Sequence, residues 1–252
     1  MSLGIALGVG FALLAIALIV LVSGSIQRHR RDAAREGYGR PQDEIFEREE
    51  LTEQESQHDS QTVREFSSAL GISHSECCRM LDEVVSSTPS TILPRLLLGN
   101  EAASKDKQEL ASARVTHILN ATSTLPNQFE RTGAFQYLRI PVEDSLAADL
   151  GMHLDKAVDW MATVLSDPYS PGAVLVHCQQ GISRSATLVI AYLMRERAMP
   201  LASAVRYVHQ RRWIRPNEAF IAQLRTYERQ LAAQRKGPYA ESAYGEERDR
   251  SR

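Results

Sequence analysis

One stretch of this 252-residue chain holds the residue types most able to do covalent chemistry. It reads His177, Cys178, Gln179, Gln180, Gly181, Ile182, Ser183, Arg184 and Ser185. Val174-Leu175-Val176 before it predicts a buried strand, and Ala186, Leu188, Val189, Ile190, Ala191, Leu193 and Met194 after it predict an apolar helix. A cysteine, five residues and an arginine at a strand-to-helix turn make an anion cradle: successive backbone N–H groups point inward and the helix dipole adds positive potential. Gly181 permits the tight curvature, because glycine accepts positive φ without steric cost. The same field favours the thiolate of Cys178, the nucleophilic form. Arg184 can grip two phosphate oxygens at once, which lysine cannot. Ser185 can donate to the sulfur and help it depart in a second step. His177 is expected to orient the loop, since a thiolate needs no base.

The elements that must position this turn are legible around it. Ile92 to Gly99, Val115 to Ala121, Phe135 to Val142 and Ala173 to His177 are short, apolar and β-rich, and helical patterns separate them. They predict an α/β domain of about 150 residues. Cys78, Leu81, Val84 and Val85 predict a short helix over Ser75 to Val85. Pro200 marks the end of the helix that follows the turn. Asn217 after Pro216 is placed to cap a last helix whose Phe220, Leu224, Tyr227 and Leu231 share one face. Arg206, Arg211, Arg212 and Arg215 cluster around Trp213, as an attractor for acidic phosphosubstrates or as a solvated face. The cluster is too short for a nucleic-acid site. Glu143, Asp144 and Asp149 follow a predicted strand, and residue chemistry alone does not choose an acid among them.

The run HCQQGISRSATLVIAYLM resembles the signature of the cysteine-dependent dual-specificity protein phosphatases. ILPRLLLGN, THILNATSTLPNQFE, FQYLRIPVEDS and RPNEAFIAQLRTYERQL resemble their counterparts in the same order, over roughly Ser87 to Leu231. The catalytic domains of the mitogen-activated kinase phosphatases and their small atypical relatives are similar, and the absence of room for a rhodanese-like docking domain suggests the short type. The resemblance implies a protein-tyrosine-phosphatase-like α/β fold, with a central, mostly parallel sheet flanked by helices. It implies Cys178 as nucleophile, Arg184 as phosphate ligand, Asp144 as general acid and Asn217 as a support of the phosphate loop. It implies phosphoprotein substrates, a protein kinase among the candidates, and neither metal nor other cofactor. A phosphoinositide or other non-protein phosphatase of this fold is the alternative enzyme, although Gln179 and Gln180 give the loop no extra cation for a polyphosphorylated headgroup. A noncatalytic phospho-binding scaffold is the third reading, set against the presence of both Cys178 and Arg184.

The whole-chain balance of 29 Lys and Arg against 31 Asp and Glu argues against a general nucleic-acid binder. Three cysteines exclude a disulfide scaffold, and adjacent Cys77 and Cys78 lack metal-ligand spacing. The averages conceal a first stretch, residues 1–27, with no charged side chain. Its apolar run from Leu3 to Val22 is long enough for a helix to span roughly 30 Å of hydrocarbon. A transmembrane anchor is therefore expected, with a cleaved signal peptide as the alternative. Arg28, Arg30, Arg31 and Arg35 follow and place the remainder in the cytosol by the positive-inside tendency. Residues 28–86 read as a polar, largely flexible linker, with nine acidic residues between Pro41 and Glu65. The catalytic domain is expected over 87–235 and a loose charged tail over 236–252. A reducing cytosol suits a reactive thiol.

Overall fold

The computed structural model describes residues 63–236, apart from 65, 66, 69, 168 and 170. The expected membrane span, most of the linker and the tail lie outside those residues. Among the described residues, no helix is long and apolar enough to cross a membrane. The chain divides into two units at Val85/Ser86.

In the first unit, helix α1 runs over His74–Val85. Ser73 and Glu76 form a reciprocal capping box at its start: Glu76 N donates to Ser73 Oγ at 3.2 Å and Ser73 N donates to Glu76 Oε2 at 3.0 Å. Cys77 is buried, which pushes its thiol pKa up, and Cys78 lies 3.6 Å from His74 Nε2. All three cysteines of the protein are free thiols.

The second unit is built on a five-stranded sheet: β1 (Ser90–Leu93), β2 (Leu96–Gly99), β3 (Val115–Asn120), β4 (Gln136–Arg139) and β5 (Ala173–His177). The order is β1-β2-β5-β3-β4, antiparallel only between β1 and β2. This is the mostly parallel sheet expected, with two differences. The run Ile92 to Gly99 is two strands, because Pro94 lacks an N–H and Arg95 takes a left-handed φ of 69°. The Arg95 guanidinium then donates to the carbonyls of Gly172, Asp167 and Val164 at 2.7, 3.0 and 2.7 Å. The strand expected over Phe135 to Val142 ends at Arg139; Ile140 and Val142 still pack into the core, and the chain becomes an exposed loop from Glu143.

Alternation along β5 divides the core. Val174 and Val176 face a large cluster shared with helices α4 (Leu154–Leu165), α5 (Arg184–Glu196), α6 (Leu201–His209) and α7 (Glu218–Lys236). Ala173 and Leu175 face a smaller cluster that includes Leu97, Ile118 and Leu110. Leu110 belongs to α3 (Lys107–Ser112), which follows the short α2 (Glu101–Lys105). With both faces covered, the strands read as continuous apolar runs rather than alternating ones. On α7 the buried face is Phe220, Leu224, Tyr227 and Leu231, as the helical spacing predicts.

Candidate active site

The register brings three strand ends level: His177 of β5 pairs with Gly99 of β2 on one side and with Asn120 of β3 on the other. The chain then leaves the carboxyl edge of the sheet and curls into residues 178–183 before α5 begins. Gly181 has φ 71°, and a Cβ there would lie 2.5 Å from the Gly99 carbonyl oxygen and 2.8 Å from Arg212 Nη2. Glycine is therefore required twice, for conformation and for space. Neighbouring segments hold the loop's backbone: Glu101 N donates to Gln179 O at 3.0 Å and Arg215 N to Ile182 O at 3.0 Å.

Cys178 is buried at the base of this loop, with two donors on its sulfur. Ser185 Oγ donates at 3.1 Å and Gly181 N at 3.2 Å. His177 is 1% exposed, with Nδ1 3.4 Å from the Cys178 carbonyl oxygen. Burial, aided by the nearby Arg139 charge and opposed by that carbonyl contact, pushes its pKa down to about 4. A neutral His177 adds no charge beneath the cradle.

Ser183 occupies the cap position of α5, yet its hydroxyl makes no capping bond to the helix. It donates instead to Asp144 Oδ1 at 2.8 Å and accepts from Asn217 N at 3.2 Å. The first-turn amides of α5 are thereby left without a side-chain cap at the place where an oxyanion is welcome. Arg184 is also buried there. Its Nη1 donates to the Val142 carbonyl at 3.2 Å, and its Nε, 3.5 Å from Asp144 Oδ2, has no aligned hydrogen-bond acceptor. A desolvated guanidinium N–H without an acceptor is costly, and a phosphoryl oxygen would satisfy it.

Of the three carboxylates after β4, the fold brings Asp144 to the cradle. Asn217 Nδ2 donates to Asp144 Oδ1 at 2.9 Å, while Asn217 Oδ1 caps α7 by accepting from Phe220 N at 2.9 Å. Asp149 Oδ1 instead accepts from Met152 N at 3.2 Å within its own turn, and Glu143 is exposed. Ser183 and Asn217 both engage Oδ1, so Oδ2 is the oxygen left facing the guanidinium. Gln179 and Ile182 complete the loop, exposed and half-buried respectively. Among the described residues, no group of three or more His, Cys, Asp or Glu side chains is arranged to hold a metal.

The basic cluster expected around Trp213 does not exist as one patch. Arg212 is 1% exposed and points inward: Nε donates to Gly181 O at 2.9 Å, Nη2 to Gln180 O at 3.2 Å and Nη1 to Ser90 Oγ at 3.2 Å. Arg211 stacks on Tyr207 at 3.6 Å, and Arg206 and Arg215 are exposed. The segment turns between Arg211 and Arg212, sending adjacent cations to solvent and to core. A signal was present in the sequence, since Arg212 is followed by apolar Trp213 and Ile214, both buried. Gln223 was likewise not singled out from the sequence: from α7 it binds the backbone of the loop after Asp144.

Residues 96–230 match the family model described as the dual specificity phosphatase, catalytic domain. The chain belongs to that family, and this part of it is a cysteine-dependent phosphatase domain. It is 44% identical over 146 residues to dual specificity protein phosphatase 1-A of Xenopus laevis, covering 58% of this chain and 38% of that protein. It is 43% identical over 144 residues to human dual specificity protein phosphatase 2, covering 57% and 44%. The chain therefore spans less than half the length of these relatives. The crystal structure of human DUSP28 is similar over 57% of this chain and 99% of that one, with 37% identity and a TM-score of 0.54.

Proposed function

We propose that this protein hydrolyses phosphate monoesters of tyrosine and of serine or threonine in proteins, through a phosphocysteine intermediate. One observation carries the reading. The sulfur of Cys178 has donors at 3.1 and 3.2 Å in a turn that leads into a helix with no side-chain cap, and the first residue of that helix, Arg184, carries a buried, acceptor-poor Nε. In the proposed first step the Cys178 thiolate attacks phosphorus, an S–P bond forms and the P–O ester bond breaks. Arg184 and the loop amides take the non-bridging oxygens, and Asp144, entering as the acid, gives its proton through Oδ2 to the leaving oxygen. In the second step Asp144 takes a proton from water as the water oxygen attacks phosphorus; a P–O bond forms, the S–P bond breaks, phosphate leaves and Ser185 stabilises the departing thiolate. Phosphoproteins, protein kinases among them, are the substrate class.

A chromogenic phosphate ester tests the reading directly. The purified chain should turn it over without added metal, and Cys178→Ser should lower the rate roughly 10⁵-fold toward background, as loss of a nucleophile does. Full activity in that variant would overturn it. Phosphopeptides compared with phosphoinositide vesicles separate protein from lipid substrates, and activity confined to the vesicles would favour the lipid reading.

We further propose that residues 1–27 anchor this domain to a membrane with the domain on the cytosolic side. The support is compositional: an uncharged stretch containing the apolar run Leu3 to Val22, followed by Arg28, Arg30, Arg31 and Arg35. Alkaline carbonate extraction should leave the full chain in the membrane pellet, and protease added to sealed microsomes should digest the domain. Release by carbonate would remove the anchor, and protection from protease would reverse the orientation.

A further inference from the structure

Helix α7 touches the loop bearing Asp144 at two places. Near its start, Asn217 Nδ2 donates to Asp144 Oδ1 at 2.9 Å and reaches the Ser145 carbonyl at 3.5 Å. Six residues along, a rise of about 9 Å, stands Gln223. Its Oε1 accepts from Leu150 N at 2.9 Å and Gly151 N at 2.8 Å, and its Nε2 donates to Ala148 O at 2.8 Å. One side-chain amide thus satisfies three backbone groups of a segment that has no ladder partner of its own. Between these attachments, residues 145–147 are exposed, with Leu146 62% accessible. Beyond them Leu150 is fully buried, so the loop returns to the core where Gln223 holds it. Gly151 fits against this side chain, since a Cβ there would lie 3.6 Å from Gln223 Cβ and Cγ.

We infer that Gln223 is a positioning residue for the general acid: it fixes the return of the loop and so holds the Asp144 carboxyl over the cradle. This rests on the proposed phosphatase reading. Asparagine at 217 restrains the carboxyl itself, but a tether at one end alone leaves the rest of an exposed loop free to swing. The amide is chemically specific for the task. It supplies two acceptor lone pairs and one donor toward the backbone, a set that neither a carboxylate nor an aliphatic side chain offers. Held in this way, the carboxyl has less freedom to lose on reaching the transition state, where small misplacements are expensive.

The test compares two esters that differ in their need for an acid. Phenyl phosphate releases a poor leaving group that requires the proton; p-nitrophenyl phosphate releases one that the nitro group already stabilises. The variants are Gln223→Met, which keeps the volume and loses all three bonds, and Gln223→Glu, which keeps the acceptors and loses the donor. For Gln223→Met, kcat/KM on phenyl phosphate should fall roughly tenfold more than on p-nitrophenyl phosphate, a selective loss of acid catalysis. Gln223→Glu should fall between it and the unaltered chain. Alkylation of Cys178 by iodoacetate should keep its rate and pH dependence in both variants, because the cradle is untouched. Equal losses on both esters, slowed alkylation, or no loss at all would overturn the inference. If Gln223→Met does not fold, the same ratio measured in Gln223→Glu decides. An unaltered chain with no activity on either ester would instead refute the phosphatase reading, so the two failures are distinguishable.

Discussion

The phosphate cradle and the acid loop face one another, yet they are constructed in opposite ways. The cradle is continuous with the core: Cys178, Ser183, Arg184 and Ser185 are buried, and Arg212 braces the loop carbonyls from inside. The acid loop leaves the sheet after β4, is exposed over residues 143–147, and is held largely by side chains belonging to other elements. The difference suits the roles proposed for each. An attacking sulfur and an anion-binding arginine need one geometry, which close packing supplies. The proposed acid must stay open to a substrate, and an exposed loop pinned at Asn217 and Gln223 leaves the approach clear while the carboxyl is held.

This contrast separates damage to rate from damage to folding, and three measurements press on it. The largest effect is expected from Asp144→Asn. Turnover should fall by roughly 10²–10⁴, most steeply for poor leaving groups, while the urea unfolding midpoint hardly moves. A strongly destabilised Asp144→Asn protein would erase the distinction between the two regions. Next is Arg212→Met, which should cost about 3 kcal/mol or more in urea unfolding, since the Gly181 and Gln180 carbonyls lose buried donors. Unchanged stability there would mean that the cradle is not braced from beneath. The smallest effect is the pH dependence set by His177. Its pKa is about 4 in the folded chain against an ordinary 6.5, so between these values the unfolded chain holds more protons. Stability should therefore fall as pH drops through 6.5 toward 4, by about 2 kcal/mol from pH 7.5 to pH 5. Denaturation curves at the two pH values check this, and His177→Asn should show a flatter dependence.

Much of this was legible in the chain because local sequence and tertiary environment agree. Val174 to Val176, Gly181 and the apolar run from Ala186 each demand locally what the fold supplies, so the strand, the turn and the helix stand where periodicity puts them. Asp144 was selected by resemblance, since three carboxylates on one loop are chemically equivalent until Ser183 and Asn217 distinguish one of them. Arg212 and Gln223 were not legible as site supports because their work is nonlocal. Arg212 acts on carbonyls 31 and 32 residues away, and Gln223 on backbone 72 to 75 residues away. No hydrophobic period records such contacts. The division of Ile92 to Gly99 was signalled by Pro94, whose missing donor weighs more than the apolar character of its neighbours.

The hydroxyl of Ser183, turned away from its own helix, has a consequence for how this protein should be handled. A serine cap is worth about 1 kcal/mol to a helix, and here that stabilisation is forgone. If, as the proposed function requires, an oxyanion binds at these amides, it would restore that stabilisation in the folded chain alone. By linkage, apparent stability then rises with the concentration of free phosphate or sulfate, by about 2.7 kcal/mol at a hundred times the dissociation constant. Melting temperatures taken in phosphate and in a zwitterionic buffer would rank the same cradle variants differently. On that reading the buffer would act as a silent ligand of the fold.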